Sequence, residues 1–520
     1  MVKSADSGHL TMALEGWSDA SALRNTNFVH KHPPFSRVRT SLTPQFGTMA
    51  HPNPIPAPPR HLTSINDLTD TEIETVLDLA GHLLSTLSDP HTPHKVSHNW
   101  PNPQDFILAS LFYEPSTRTR LSFETAALRL GGRTITSSDP ATSSAAKGES
   151  IADTVRVVSS YANVIVIRHP RDGAAKLAAD YSPVPVINGG DGSHEHPTQT
   201  LCDLFTLQKG DRKINRMNVA IAGDLKGSRT VHSFVYALAR LGANISMLPA
   251  EGMELPSHVW DRLKDEFKCH LVNKSQKLKV DNVERFMDVL YVTGEESSSA
   301  KRHRSNPVDF IYATRYQAER HSQVGRDYLK VDKQFLNNPR YKRANILHPL
   351  PRVHELGIEL DQDERALYFH QAAYGVPVRM ALISAILGFA PDSALKPRAE
   401  TRDLYDQPRG VGLSCVNTNC IVHDDVDGRF TTNRFLVVKT HPSSRPKLRC
   451  AYCESDTSEF VIADRNNGWF YFDQDMLSDL ADRNHALIAY PTPSDAVAAG
   501  FEFPAEQQEG AQGQGFPVAQ

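Results

Sequence analysis

"FYEPSTRTRLSFETAALRLGG" (Phe112–Gly132) places two arginines and three hydroxyl side chains in consecutive positions, Ser116 to Arg120, where a strand gives way to a helix. The preceding run "FILASLFYE" reads as a strand, with Pro115 and Ser116 as the turn. Leu121, Phe123, Ala127, Leu128 and Leu130 then fall on helical faces, and Gly131 and Gly132 close the helix. Ser116, Thr117, Arg118 and Thr119 therefore sit at a helix N-terminus, where unpaired N–H groups and the helix dipole favour an anion. A simple helix cap needs one hydroxyl. A run of four donors with two guanidinium groups close by, Arg118 within it and Arg120 next to it, points instead to a bound phosphate.

Working outward, short apolar runs alternate with helical stretches: "NVIVIRHP", "VPVING", "MNVAIAGD", "ISMLPA", "DFIYATR" and "NILHPLPR". Val- and Ile-rich runs in this alternation predict an α/β fold, with two similar-sized parallel-sheet domains covered by helices on both faces. The expected boundaries are 60–195 and 196–390. Ligands of such sheets bind beyond the carboxyl ends of the strands, so the crevice between the halves is the expected active site. From "HLTSINDLTDTEIETVLDLAGHLLSTL" onward the pattern is helical, with Asp70 or Thr71 as cap and Ile73, Val76, Leu77, Ala80 and Leu83 on one face. Residues 1–59, rich in Ser, His and Pro, read as a disordered extension in which Met49 offers an alternative start. Residues 391–410 read as a linker, 411–480 as a small β-rich domain, and 481–520 as a C-terminal tail.

At 520 residues the chain has room for about three domains. Its net charge of -4 lacks the basic excess of a nucleic-acid binder, and no apolar run is long enough to span a bilayer. Neither nucleic acid nor membrane is expected as a partner, and a cytoplasmic location is expected because no secretory signal is evident. Of six cysteines, Cys202 and Cys269 stand apart, whereas Cys415, Cys420, Cys450 and Cys453 form two close pairs. Two such pairs in a reducing compartment predict one structural, four-thiolate Zn2+ site per chain. His423 and His441 are alternative ligands that a full thiolate set makes unnecessary. A saturated zinc has no open position, so catalysis is expected to need no cofactor.

Further candidates lie at strand ends and loops. "SSAAKGESIADT" carries Ser143 and Lys147, "VIVIRHP" ends in Arg168, and "GSHEHPTQTLCDLF" places His196 and Gln199 around a Pro197 that suits the first helical position. Taken singly, Lys147 and Arg168 are equally compatible with solvated surface, and His196 with a cap neighbour. "GDLKGSRTVHS" offers Arg229 near a second helix start, "DFIYATRYQAER" offers Arg315 and Gln317, and "NILHPLPR" offers Leu350. Two guanidinium groups in the second half suit a dicarboxylate, which they can grip in bidentate forks.

STRTR after a strand, followed by HPTQ and HPLPR in that order, resembles the aspartate and ornithine transcarbamoylases. The resemblance implies that Ser116, Thr117, Arg118 and Thr119 hold the phosphate of carbamoyl phosphate, and that Thr119, Arg168 and His196 polarise its carbonyl. Gln199 and Leu350 would be further substrate-binding residues. It further implies that Ser143 and Lys147 reach into a neighbouring subunit's site, giving a homotrimer with shared active sites, and leaves open whether trimers pair. HPLPR carries Pro349 where ornithine enzymes carry cysteine, which implies L-aspartate as acceptor, with Arg229, Arg315 and Gln317 on its carboxylates. The implied reaction makes N-carbamoyl-L-aspartate and phosphate, an early step of pyrimidine synthesis.

"CVNTNCI" and "KLRCAYCE" resemble the zinc domain of the regulatory chain of aspartate transcarbamoylases. The interval between Leu387 and Val411 is too short for the nucleotide-binding effector domain that precedes that zinc domain in two-chain enzymes. One departure from the family pattern stands out. The runs DVLYVTG and DFIYATR are alike and are separated by a charged, Ser-rich insert at about 294–307; the second run is taken as the substrate strand because it ends in Arg315.

Overall fold

The computed structural model describes residues 59–88, 105–208, 213–267, 271–272, 307–317, 330–390, 394–396, 404–407, 411–438, 445–472 and 487–504. All of them belong to the compact unit Ala57–Gln520. The N-terminal extension up to residue 58, the run DVLYVTG, the insert through residue 306, His441 and Cys269, and the last part of the tail lie outside the described residues.

The chain enters through α1 (Asp70–Ser88), whose Ile73, Val76, Leu77, Ala80 and Leu83 are all buried, as their spacing predicts. Its cap is Thr69, ahead of the expected Asp70 or Thr71. The Thr69 hydroxyl accepts from Glu72 N at 3.1 Å and the Glu72 carboxylate accepts from Thr69 N at 2.7 Å. This reciprocal pair satisfies two donors at once, which an Asp70 cap would not do.

The first sheet follows: β1 (Ile107–Phe112), α2 (Thr117–Arg129), β2 (Arg133–Ser137), α3 (Ile151–Val158), β3 (Val164–His169), α4 (Ala174–Tyr181), β4 (Val186–Asp191) and α5 (Pro197–Gln208). Its strands are all parallel, in the order β2-β1-β3-β4. Strands β3 and β4 are buried along their whole length, which is why "VIVIRH" shows no alternation of apolar and polar residues.

The second sheet is built from β5 (Asn218–Gly223), α6 (Arg229–Arg240), β6 (Asn244–Pro249), α7 (Ser257–Asp265), β7 (Leu271–Val272), β8 (Phe310–Ala313), α8 (Lys333–Leu336) and β9 (Asn345–Leu347). The order is β7-β6-β5-β8-β9, again all parallel. Strand β8 is the run ending in Arg315, and it lies inside the sheet next to β5. After β9 come α9 (Tyr368–Ala373) and α10 (Gly375–Leu387). Helix α10 is buried on every side and packs against α1, α2 and α5. The second half thus closes by returning to the first, and Val378, Met380, Leu382 and Phe123 share one core.

Two antiparallel sheets complete the described chain. The first has the order β10 (Leu404–Gln407), β11 (Asn433–Val438), β12 (Lys447–Cys450), β13 (Asp456–Thr457). The second places β14 (Val461–Asp464) between β15 (Trp469–Tyr471) and β16 (Leu487–Tyr490), and α11 (Pro493–Ala498) packs on it. Two expectations are corrected here. Residues 404–407, assigned to a linker, form an edge strand paired with β11. Residues 487–498, assigned to a tail, form β16 and α11, the latter capped by Thr492 and Asp495. The apolar "LIAY" and the T-P-S-D capping box were the local signals for both elements.

Among the described residues no helix is long and apolar enough to cross a membrane.

Candidate active site

Strands of both parallel sheets end at one cleft of ≈ 570 Å³. Ser116, Thr117, Arg118, Thr119, Arg168, His196, Gln199, Arg229, Arg315, Gln317 and Leu350 all line it. Helix α2 begins at Thr117, and the Ser116 side chain makes no cap hydrogen bond. The first turn of α2 therefore offers its backbone N–H groups, with the Ser116 hydroxyl beside them, to a ligand. Arg118 is exposed and has no carboxylate partner among the described residues. The part of its guanidinium set into the cleft is desolvated, and this, with the nearby Arg315 charge, holds it below the usual arginine range. Two like charges facing one cleft form a place where an anion is stabilised.

Helix α6 repeats the arrangement from the second sheet. It begins on Arg229, its N-cap Ser228 makes no side-chain cap bond, and Ser228 and Thr230 also line the cleft. Arg229 and Arg168 are gathered by one carboxylate, Glu114, at 2.7 Å and 3.1 Å. They also donate to the carbonyls of Gly192 and Gly189 at 2.8 Å and 3.2 Å. The glycines of "INGGDG" make this possible. A Cβ on Gly190, whose φ is +111°, would lie 2.9 Å from Arg229 Nε and 3.0 Å from Arg168 Nη1. Gly190→Ala is expected to displace both guanidinium groups and to add ~1–3 kcal/mol of backbone strain. A lowered melting temperature together with a fall in kcat/KM is the expected result; unchanged kinetics would show that the arginines do not depend on this approach.

His196 is buried just before α5, with Nε2 3.3 Å from Thr119 Oγ1. Its backbone N–H donates to Ser233 Oγ at 2.7 Å, and Ser233 Oγ donates to the buried Glu195 carboxylate at 3.0 Å. Burial pushes the Glu195 carboxyl up to about 7. The His232 ring lies between two backbone carbonyls, Ser193 O at 2.7 Å and Leu225 O at 2.9 Å. It thereby ties the loop leading to His196 to the loop leading to Arg229. The HPLPR loop holds its own shape: Leu350 N donates to His348 Nδ1 at 2.8 Å, so Nε2 carries the proton given to Glu355 at 2.8 Å. Burial keeps His348 below the usual imidazole range, in accord with this neutral tautomer.

Ser143 and Lys147 do not join the cleft. Both lie on short 3-10 turns beyond β2, Lys147 exposed and Ser143 half-buried. Glu114, Asp203, His348 and Gln371 belong to the site's framework and escaped the sequence analysis. Glu114 stands inside the quoted motif, but an acid beside a phosphate cradle has the wrong sign for direct contact, and only the fold brings Arg168 and Arg229 to it.

The four clustered cysteines meet as their spacing predicts. All are buried, with Sγ atoms within 4.8 Å of one another, 3.4 Å for Cys415–Cys453 and 3.9 Å for Cys420–Cys450. Metal–sulfur bonds of ~2.3 Å at tetrahedral angles set sulfur pairs roughly 3.8 Å apart, so the set fits a tetrahedral ion. His423 is not needed: its Nε2 lies 2.7 Å from the Cys415 carbonyl. This domain rests on both halves of the body. Asn417 and Asn419 donate to Asp172 at 2.7 Å and 2.9 Å, Asp427 accepts from Ile151 N at 2.6 Å, and Lys447 pairs with Asp261 at 3.0 Å. Arg262 pairs with Glu454, and Arg449 with Glu266.

Three family descriptions match the chain. The aspartate/ornithine carbamoyltransferase carbamoyl-P binding domain matches residues 60–209, and the Asp/Orn binding domain of the same enzymes matches 215–386. The metal binding domain of the aspartate carbamoyltransferase regulatory chain matches 406–463. The aspartate carbamoyltransferase catalytic subunit of Thermoplasma volcanium is 41% identical over 333 residues, which span 63% of this chain and 98% of that protein. That of Methanocella arvoryzae is 42% identical over 335 residues, 63% of this chain and 97% of the relative. Among solved structures, the catalytic subunit of M. jannaschii aspartate transcarbamoylase is 38% identical, covers 64% of this chain and 98% of its own, and superposes with a TM-score of 0.51. The Trypanosoma cruzi aspartate transcarbamoylase in complex with N-(phosphonacetyl)-L-aspartic acid is 28% identical, covers 63% and 95%, and gives a TM-score of 0.52. The chain thus belongs to the aspartate carbamoyltransferase family, a carbamoyltransferase catalytic chain joined in one polypeptide to a metal-binding domain of the regulatory-chain type.

Proposed function

We propose that the chain transfers the carbamoyl group of carbamoyl phosphate to the amine of L-aspartate, with residues 60–195 binding the first substrate and 196–390 the second. The observation that carries this reading is the uncapped start of α2, with Arg118 free of any carboxylate partner among the described residues, opening on the same cleft as Arg229, Arg315 and the HPLPR loop. The α2 N-terminus, Ser116, Thr117 and Arg118 hold the phosphate. Thr119, Arg168 and His196 donate to the carbamoyl oxygen as the aspartate nitrogen attacks the carbon, each well-placed donor contributing ~3–4 kcal/mol to the transition state. The new C–N bond forms, the C–O bond to phosphate breaks, and the departing phosphate takes the proton that the attacking amine gives up; no protein nucleophile is required. Arg229, Arg315 and Gln317 hold the two acceptor carboxylates, and alignment of the reactants removes much of the entropic barrier.

The active unit in this reading is a homotrimer. Lys147 and Ser143 are not among the residues that line their own cleft, while Leu121, Leu128 and Ile135 leave apolar surface exposed on α2 and β2. A second copy covering that face would bring Lys147 to its neighbour's phosphate site. The metal at Cys415, Cys420, Cys450 and Cys453 is Zn2+ in a structural role, because four thiolates leave it no open position. Buried unpaired thiols suit the reducing cytoplasm, the proposed location. The test is carbamoylation of aspartate and of ornithine by the purified chain supplied with carbamoyl phosphate. Product from aspartate alone is expected; product from ornithine would overturn the acceptor assignment, and product from neither the activity.

A further inference from the structure

Beneath the cleft, Asp203 of α5 is wholly buried and surrounded by donors. Its Oδ1 accepts from Gln199 Nε2 at 2.8 Å and from Gln371 Nε2 at 2.6 Å, and its Oδ2 accepts from the Tyr312 hydroxyl at 2.9 Å. Gln371 in turn accepts from the backbone N–H of His348 at 2.9 Å, the first residue of the HPLPR loop. These bonds settle which way both amides point, since a carboxylate offers only acceptors. Gln199 spends its –NH2 group on Asp203, so the end left for the cleft is its carbonyl oxygen. That end is an acceptor, suited to the –NH2 of a carbamoyl group and unsuited to phosphate or carboxylate oxygens.

We propose that Asp203 is a positioning residue for the carbamoyl group: it turns the Gln199 carbonyl toward the carbamoyl amine and, through Gln371, holds the HPLPR loop in register with it. The inference rests on the reading that this cleft binds carbamoyl phosphate. Asp203 lies in the first half of the chain, Tyr312 and Gln371 in the second, so one carboxylate joins the two sides of the cleft. The groups facing it are Gln199 and Cys202 on its own helix, Tyr312 on β8, Gln371 on α9 and Arg379 on α10. Burial pushes the Asp203 carboxyl up to about 7, against the three hydrogen bonds that favour its ionised form. Protonation would turn one acceptor position into a donor among donors and release an amide.

The test compares the full-length wild type with Asp203→Asn and Asp203→Glu, each first checked for folding by circular dichroism and thermal melting. Asp203→Asn is expected to lower kcat/KM for carbamoyl phosphate about 100-fold, while KM for aspartate at saturating carbamoyl phosphate changes by less than about 3-fold. Asp203→Glu should recover part of that loss. In the wild type, kcat/KM for carbamoyl phosphate should fall as pH drops through about 7, the value to which Asp203 is raised, and the Asn variant should lose that inflection. Should Asp203→Asn fail to fold, Gln371→Met, which leaves the carboxylate in place but frees the loop, should raise KM for carbamoyl phosphate in the same way. A folded Asn variant with a lowered melting temperature and unchanged carbamoyl phosphate kinetics would overturn the proposal, as would a Gln371→Met variant with unchanged KM. A wild type that carbamoylates no acceptor would overturn the underlying reading, and this inference with it.

Discussion

Arg118→Ala is expected to lower kcat by on the order of 10³-fold, with the fold intact. Loss of one donor that stabilises developing charge costs about 10²–10³ in rate, and Arg118 carries a full charge at the start of α2 where the phosphate must leave. It has no carboxylate partner among the described residues, so its removal breaks no internal ion pair and should leave the melting temperature within about 1 °C, as for an ordinary surface substitution. The shared-site reading makes the same variant useful a second time. Lys147→Ala should also be nearly inactive, since Lys147 would serve a neighbour's phosphate. Mixing the two inactive chains under conditions that exchange subunits should restore activity, because some sites would draw both missing groups from intact copies. Steady-state rates before and after exchange decide it; no recovery would mean that each chain builds its whole site alone.

What could be seen in the sequence is what local chemistry marks. The STRTR donors follow a strand and open a helix, so one segment contains the strand end, the turn and the anion site together. HPTQ and HPLPR are marked in the same way, by proline-set turns at strand ends, and the cysteines by their paired spacing. What escaped depends on contacts distant along the chain. Glu114 acquires its role only when β3 and α6 bring Arg168 and Arg229 to it. Asp203 reads as one acid in an apolar helix until Gln371 and Tyr312 are placed above it. Helix α10 is apolar all round, and such a helix announces burial without naming its neighbours; its packing on α1 and α2 stitches the two halves together. The Thr69 cap was missed by a single position, because Thr, Asp and Thr all stand near the start of α1 and only the reach of Glu72 selects among them.

Removal of the thiolate-bound metal should cost the whole body stability, although the metal lies outside the catalytic cleft. Four buried cysteines within 4.8 Å hold the loops that carry Asn417, Asn419 and Glu454 onto the catalytic halves. Without the ion those loops lose their shape, and Arg262, whose side chain is 8% exposed, loses Glu454 and keeps Glu266 as its remaining carboxylate partner. Taking one partner from a buried pair costs up to ~3–5 kcal/mol, of which Glu266 offsets a part here. At ~1 °C per kcal/mol for a body as large as Ala57–Gln520, the melting temperature should drop by about 3 °C or more. The expected measurements are one metal ion per chain by elemental analysis, near-complete loss of it in Cys420→Ala, and a parallel fall in melting temperature. Apo protein reloaded with Cd2+, which also accepts four thiolates, should regain the melting temperature with kcat within about 2-fold of the zinc form, because a site saturated by sulfur offers no place for substrate. A turnover that follows the identity of the metal would instead assign it a part in the chemistry, and a melting temperature indifferent to its loss would deny it the structural one.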